Sequence, residues 1–168
     1  MPRFQPEKIF ETLARHGVKY ILIGGLAATL HGSNIRTGDA DICPSKDADN
    51  LKRLAAALSE MKTRVRAAAD APDGLAFHCD RRFLEQMDLC NLTTIYGDFD
   101  ISFMPAGTRG YADLRKRAVT YALAGSHVPT ASLDDVIRSK EAAGRPKDRQ
   151  QLPSLRTLRE ESRRHGKE

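Results

Sequence analysis

The chain has 168 residues, 27 of them Lys or Arg and 22 Asp or Glu, giving a net charge of +5. That length suits one domain with a real core rather than two ordinary ones, and the absence of Trp with 6% aromatic residues predicts a core of Leu, Ile, Val and Ala. Cys43, Cys79 and Cys90 are odd in number, far apart and never in a C-x-x-C pair, which argues against a disulfide scaffold or zinc site and for a reducing cytoplasm. The opening MPRFQPEKIFE has no apolar signal-peptide segment, and the longest apolar run, near Tyr20 to Leu30, is broken by Gly24-Gly25 and too short to span a bilayer. No membrane partner is expected.

In chain order, Pro6 to His16 reads as a helix, with Pro in its first turn, Ile9, Phe10 and Leu13 on one face, and Gly17 after it. Val18 to Ile23 reads as a buried strand, Leu26 to His31 as a short helix, and Asp39 to Cys43 as a second strand ended by Pro44. Asp47 to Met61 has apolar residues at helical spacing; residues 62 to 86 give no clear period, although Pro72-Asp73-Gly74 marks a turn. Met87 to Ile95 and Phe99 to Met104 read as strands joined at Gly97-Asp98, and Tyr111 to Arg117 as a helix. Two short strands follow, around Val119 to Leu123 and His127 to Pro129. Ser132-x-x-Asp135 resembles a capping box and starts a helix that Gly144-Arg145-Pro146 stops; a last helix is interrupted or begun by Pro153. The alternation predicts an α/β (α+β) fold, a mixed β-sheet flanked by helices, in one domain over residues 1–168 with a basic helical region from about residue 132.

Charge is unevenly placed. From Arg138 to Glu168 there are ten Lys or Arg and five Asp or Glu, a surplus equal to the whole chain's +5. Such a region offers a patch for a polyanion such as RNA, with Arg145, Lys147 and Arg149 as the functional candidates and Arg163 and Arg164 as solvated helix residues. His31 is expected to be a packed or capping residue.

Chemistry concentrates in YILIGGLAATLHGSNIRTGDADIC. On a strand, Asp39 and Asp41 project to one face while Ala40 and Ile42 enter the core. Two adjacent anions repel, and paired hard carboxylates are what Mg²⁺ accepts alongside phosphate oxygens. An apolar strand ending in Gly24-Gly25 at a helix start brings backbone N–H groups to an anion. A D-x-D or a GG alone is common; the order strand, GG, helix, turn, D-x-D strand is not. The sequence has no Walker A, G-x-G-x-x-G or G-x-S-x-G motif, which takes support from P-loop, dinucleotide-binding and hydrolase readings.

These motifs resemble those of the minimal nucleotidyltransferases of the DNA polymerase β superfamily. Within it, GGLAATLHG, RTGDADI and the later SLDDVIRSKEAAGRPKDRQQLPSL resemble the AbiEii and MenT-type toxins, over roughly residues 18 to 158. The resemblance implies a nucleotidyltransferase fold and transfer of a nucleoside monophosphate from an NTP to an acceptor hydroxyl. It implies Mg²⁺, as two ions, on Asp39, Asp41 and a third carboxylate. Asp98 and Asp100 both qualify, and Asp100, inside its strand, matches best. Lys140 and Asp148 match the family's downstream catalytic motif, with Lys140 also on the nucleotide, and Gly24, Gly25, Ser33, Arg36 and Thr37 are expected around the phosphates. The implied acceptor is a tRNA 3′ end, with an antitoxin as partner protein. Two alternatives stay open: the same chemistry on an aminoglycoside-like small molecule or a protein hydroxyl, and a non-catalytic nucleotide-binding module. The chain is shorter than many members that hold the acceptor with a C-terminal helical extension.

Overall fold

The computed structural model describes residues 2–66 and 71–166. Its centre is a mixed sheet of seven strands: β1 (Tyr20–Ile23), β2 (Asp39–Pro44), β3 (Arg64–Val65), β4 (Leu89–Thr94), β5 (Gly97–Ser102), β6 (Val119–Leu123) and β7 (Ser126–Thr130). Their spatial order is β3-β4-β5-β2-β1-β7-β6. β1 runs antiparallel to β2 and parallel to β7, and β2 runs parallel to β5. The helices are α1 (Pro6–Arg15), α2 (Gly24–Leu30), α3 (Ala48–Glu60), α4 (Arg81–Gln86), α5 (Tyr111–Leu114, continuing as a 3₁₀ turn to Arg117), α6 (Leu133–Ala143) and α7 (Pro146–Arg164). None of the described helices is long and apolar enough to cross a membrane.

Alternation along the strands divides the sheet into two unlike faces. Ala40, Ile42, Leu92, Phe99 and Ile101 point to the apolar face and join one core cluster with Ile9, Phe10 and Leu13 of α1 and Leu51, Leu54 and Leu58 of α3. On the other face α2 packs on β1, β2 and α6, and α6 packs on α7. These three helices lie beside the β1–β2 half of the sheet, and the β3–β5 half of the same face is left polar.

Local chemistry explains most of the boundaries. Asp47 caps α3 by accepting from Asn50 N, and Asp80 caps α4 by accepting from Phe83 N. Ser132 caps α6 by accepting from Asp135 N, but the Asp135 carboxylate turns away to Arg117 and Arg138 instead of completing the expected box. Gly144 ends α6 in the left-handed conformation, at φ +60°.

Two expectations need correction. α2 spans Gly24–Leu30 rather than starting at Leu26, with Gly24 entering it from the left-handed region at φ +73°. α7 starts at Pro146 and runs through Pro153, which is exposed while Leu152 and Leu155 stay buried. Pro at the first helical position loses no bond, and packing of the apolar side carries the helix past the second proline. β3 and α4 fall where the sequence shows no period.

Asn50 ties α3 to the sheet. Fully buried, it accepts from Lys19 N at 2.7 Å and donates to Lys19 O at 2.9 Å and Ser45 O at 2.7 Å. Asn50→Ala leaves these backbone groups without partners, and should destabilise the fold by about 2–3 kcal/mol, measured by urea unfolding. A loss below about 0.5 kcal/mol would show that the network is dispensable.

Candidate active site

Parallel pairing sets Asp41 beside Asp100 and Asp39 beside Asp98. One oxygen each from Asp39, Asp41 and Asp100 lies within 4.8 Å of the other two. Burial first, then the charges of Asp39 and Asp100, push the Asp41 carboxyl up to about 7. Burial also raises Asp100, against the pull of the Arg66 guanidinium.

Arg66 escaped the sequence reading. Its Nη2 donates to both Asp100 oxygens, at 2.9 and 3.0 Å, and its Nη1 lies 3.2 Å from Asp98 Oδ2. The cation–apolar–cation alternation of Arg64-Val65-Arg66 was the available signal, but two residues of strand are too few to establish a period.

Gly24 and Gly25 make room for the carboxylates. Gly24 has φ +73°, and a Cβ there would stand 2.6 Å from Asp41 Oδ2. A Cβ on Gly25 would stand 3.2 Å from Thr37 Cβ, and the Thr37 hydroxyl donates to Asp39 Oδ1 at 2.9 Å. Gly24 and Gly25 therefore pack closely against Asp41 of the D-x-D strand and Thr37 of the turn before it.

The acidic face lines a cavity of about 440 Å³ whose wall also includes Gly24, Gly25, Arg36 and Thr37 and, from α6 and α7, Lys140, Arg145 and Lys147. Lys140 is 9% exposed; its Nζ donates to Gln151 Oε1 at 2.8 Å and lies 3.5 Å from Asp148 Oδ1. Burial lowers the Lys140 pKa and Asp148 resists that shift. The cavity thus sets carboxylates and ammonium and guanidinium groups around one space, an arrangement able to hold a polyphosphate and a divalent cation together.

Asp39, Asp41, Asp100, Gly24, Gly25, Arg36, Thr37 and Lys140 all line this cavity; Ser33 and Asp148 do not. Ser33 Oγ accepts from Ile35 N at 3.2 Å, within the turn after α2. Asp148 is fully buried and accepts from Arg145 N at 3.2 Å and Arg145 Nε at 2.8 Å. Burial works against its charge, but the Arg145 bonds hold its carboxyl below the usual carboxylate range. Its place is at the start of α7, behind Lys140, and not at the acidic cluster. Arg149 donates to Gly144 O at 3.0 Å and is outside the cavity wall. His31 is packed and capping: it ends α2 and bonds Ala131 O and the Tyr121 hydroxyl, each at 2.7 Å.

Hard oxygen donors, mutual repulsion and a carboxyl pushed up to about 7 by burial and then by its acidic neighbours fit a divalent cation such as Mg²⁺ on Asp39, Asp41 and Asp100. A measurable pH dependence follows. The folded Asp41 pKa of about 7 lies above its ordinary 3.8. The folded protein therefore binds more protons between these values, and metal-free stability falls as pH rises through that window. Asp41→Asn should melt higher than wild type at pH 8 in EDTA. Mg²⁺ should raise the wild-type melting temperature and leave the variant nearly unmoved. Equal metal responses in the two proteins would remove Asp41 from the metal site.

No protein-family model matches the chain, and no curated protein matches it either. Solved structures do. A candidate nucleotidyltransferase from Thermotoga maritima superposes with a TM-score of 0.55 at 18% identity, over 93% of this chain and 96% of that one. The lincosamide antibiotic adenylyltransferase LnuA, solved with lincomycin bound, gives 0.60 at 15% identity, over 93% and 99%. At such identities the likeness is one of fold: this chain has the nucleotidyltransferase fold over nearly its whole length.

Proposed function

We propose that the protein is a Mg²⁺-dependent nucleotidyltransferase that moves a nucleoside monophosphate from an NTP to an acceptor hydroxyl. The observation that carries this reading is the cluster of Asp39, Asp41 and Asp100 within 4.8 Å, lining one cavity with the buried Lys140. Likeness of fold to an adenylyltransferase supports it. When bound, Mg²⁺ on the three carboxylates supplies neutralisation of the phosphates and polarisation of the α-phosphorus.

The chain's own groups do the rest. Gly24 and Gly25, bare of Cβ, let the phosphates come up to the carboxylates. Arg36 and Lys147 hold outer phosphate oxygens, and Thr37 fixes the Asp39 carboxylate through its hydroxyl. The acceptor hydroxyl oxygen forms a bond to the α-phosphorus, and its proton passes to a carboxylate oxygen of Asp100. The bond from the α-phosphorus to the bridging oxygen breaks, and its electron pair leaves with pyrophosphate. Lys140, positioned by Gln151 and Asp148, meets that negative charge with its ammonium group. Asp148 is in this reading a positioning residue.

The acceptor in this reading is the 3′ end of a tRNA, and the protein is the toxin of a toxin–antitoxin pair. Support comes from the resemblance of its motifs to the AbiEii and MenT-type toxins. A second reading, a small-molecule hydroxyl, is favoured by one finding: LnuA, which shares the fold, was solved with lincomycin.

Incubation with each α-labelled NTP, Mg²⁺ and either total RNA or lincomycin separates the two. Label should move to an RNA band of tRNA size, vanish in EDTA, and fall by at least about 100-fold in Asp41→Asn and Asp100→Asn. Asp98→Asn should retain most activity. Labelled lincomycin with unlabelled RNA would replace the acceptor, and no transfer or NTP-induced thermal shift under any condition would remove the enzyme reading.

A further inference from the structure

The face that carries the acidic cluster continues, uncovered by a described helix, across β5, β4 and β3. Cross-strand pairing puts Asn91 opposite Asp100, Thr93 opposite Asp98 and Arg64 opposite Thr93, and side chains at paired positions share a face. Arg66 follows on, its N–H donating to Asn91 O at 2.9 Å. Leu89, paired with Ser102 on this face and part of the cavity wall, is 55% exposed, and Asn91 is exposed as well. The cavity therefore opens sideways onto a polar sheet surface two to three strands wide, about 10 Å at the ordinary spacing of strands.

Charge says what suits this surface. Once a metal engages Asp39, Asp41 and Asp100, the remaining charges at its paired positions among the described residues, with Arg66 beside them, are Arg64 and Arg66 against Asp98. Arg64 is exposed, and its guanidinium bonds only the carbonyls of Asp73 and Gly74, so no described carboxylate neutralises it. Arg66 crosses β4 to reach Asp100, the carboxylate assigned to the attacking hydroxyl. The buried cation Lys140 lies on α6, away from this opening, and suits the leaving pyrophosphate. The two ends of the reaction are thus given different cations.

We propose that the open β3–β5 face is the acceptor platform of this enzyme, and that it binds the phosphodiester backbone next to the terminal ribose of a single-stranded RNA. Arg66 holds the phosphate nearest the attacking hydroxyl and Arg64 the next one out. The proposal rests on the nucleotidyltransferase reading and names where the acceptor lies. The face presents Arg64, Arg66, Asn91, Thr93 and Leu89 and no aromatic side chain at the paired positions, so it offers nothing for bases to stack on. Recognition is consequently of backbone and indifferent to base sequence. It also reassigns the basic residues: Arg145 and Lys147 belong with the triphosphate.

The probe is a short 5′-fluorescein single-stranded RNA with a free 3′-hydroxyl, binding to the full chain followed by anisotropy between about 50 and 200 mM salt. Oligo(A) and oligo(C) should bind alike. Arg64→Gln and Arg66→Gln should each lower the slope of log K against log salt by about 0.7, the value for one phosphate contact to a single strand. The double variant should bind about tenfold more weakly or worse. Arg145→Gln with Lys147→Gln should leave RNA affinity within about twofold and weaken the thermal shift given by Mg²⁺ and NTP. Arg64→Gln, remote from the carboxylates, should keep that shift, which also shows that it is folded. If wild type gives the shift but binds no RNA, or binds it unchanged in the Arg64/Arg66 double variant, the platform is wrong and the nucleotide site stands. Loss of RNA binding only in the Arg145/Lys147 variant likewise overturns the platform. A wild type without any Mg²⁺·NTP shift removes the underlying reading, and the platform with it.

Discussion

Repulsion among three carboxylates organises this molecule. Parallel pairing of β2 with β5 brings Asp39, Asp41 and Asp100 to one patch of sheet, a placement that stability alone disfavours. The neighbouring choices follow from holding them there. Position 24 must lack a Cβ because Asp41 fills the space, and Thr37 fixes Asp39 by a hydrogen bond. Arg66 lies on Asp100 and Asp98, and Asp41 is left at a pKa near neutrality. The apolar faces of the same strands, with Ala40, Ile42, Phe99 and Ile101 fully buried, anchor the arrangement so that the acids cannot move apart.

Helix placement then gives the sheet a direction. α2, α6 and α7 gather at the β1–β2 side and bring Lys140, Arg145 and Lys147 to the cavity that the acids line, while none of these three helices packs on the β3–β5 side. The part of this face on which no described helix packs adjoins the charged cluster. Under the proposed function, the cationic end would take the bound donor and the polar side the incoming acceptor.

Much of this was legible in the sequence because local rules and long-range pairing agreed. The alternation Asp39-Ala40-Asp41-Ile42 states both the strand and its facing, and the Phe99-x-Ile101-x-Phe103 pattern does so for β5, which placed Asp100 on the polar face. Ser132 and Gly144 bracket α6 by ordinary capping. What was hidden depends on contacts between distant residues. Arg66 reaches Asp100 from the residue after a strand of two, and Asp148, singled out by its match to the resembled family's downstream motif, is buried behind Lys140 and outside the cavity wall. Ser33 sits in a motif near the glycines but bonds within its own turn. Pro153 misled in the opposite way, since buried Leu152 and Leu155 outweigh one missing donor.

The basic C-terminal region shows how a charge count can mislead about partners. Read as a sequence, its surplus of cations invites a nucleic-acid patch. In the fold, Arg156 pairs with Glu141 at 2.9 Å, Arg159 and Arg163 reach Asp134 at 3.5 and 3.3 Å, and Arg145 holds Asp148. Several of these cations therefore serve to fasten α7 to α6, and as exposed or half-exposed pairs they add little stability individually. Their collective effect is positional, because α7 carries Gln151 and Asp148, and these set the buried ammonium of Lys140 at the cavity. The region thus brings Lys140, Arg145 and Lys147 to the cavity wall, while Arg156, Arg159 and Arg163 pair with Glu141 and Asp134 of α6.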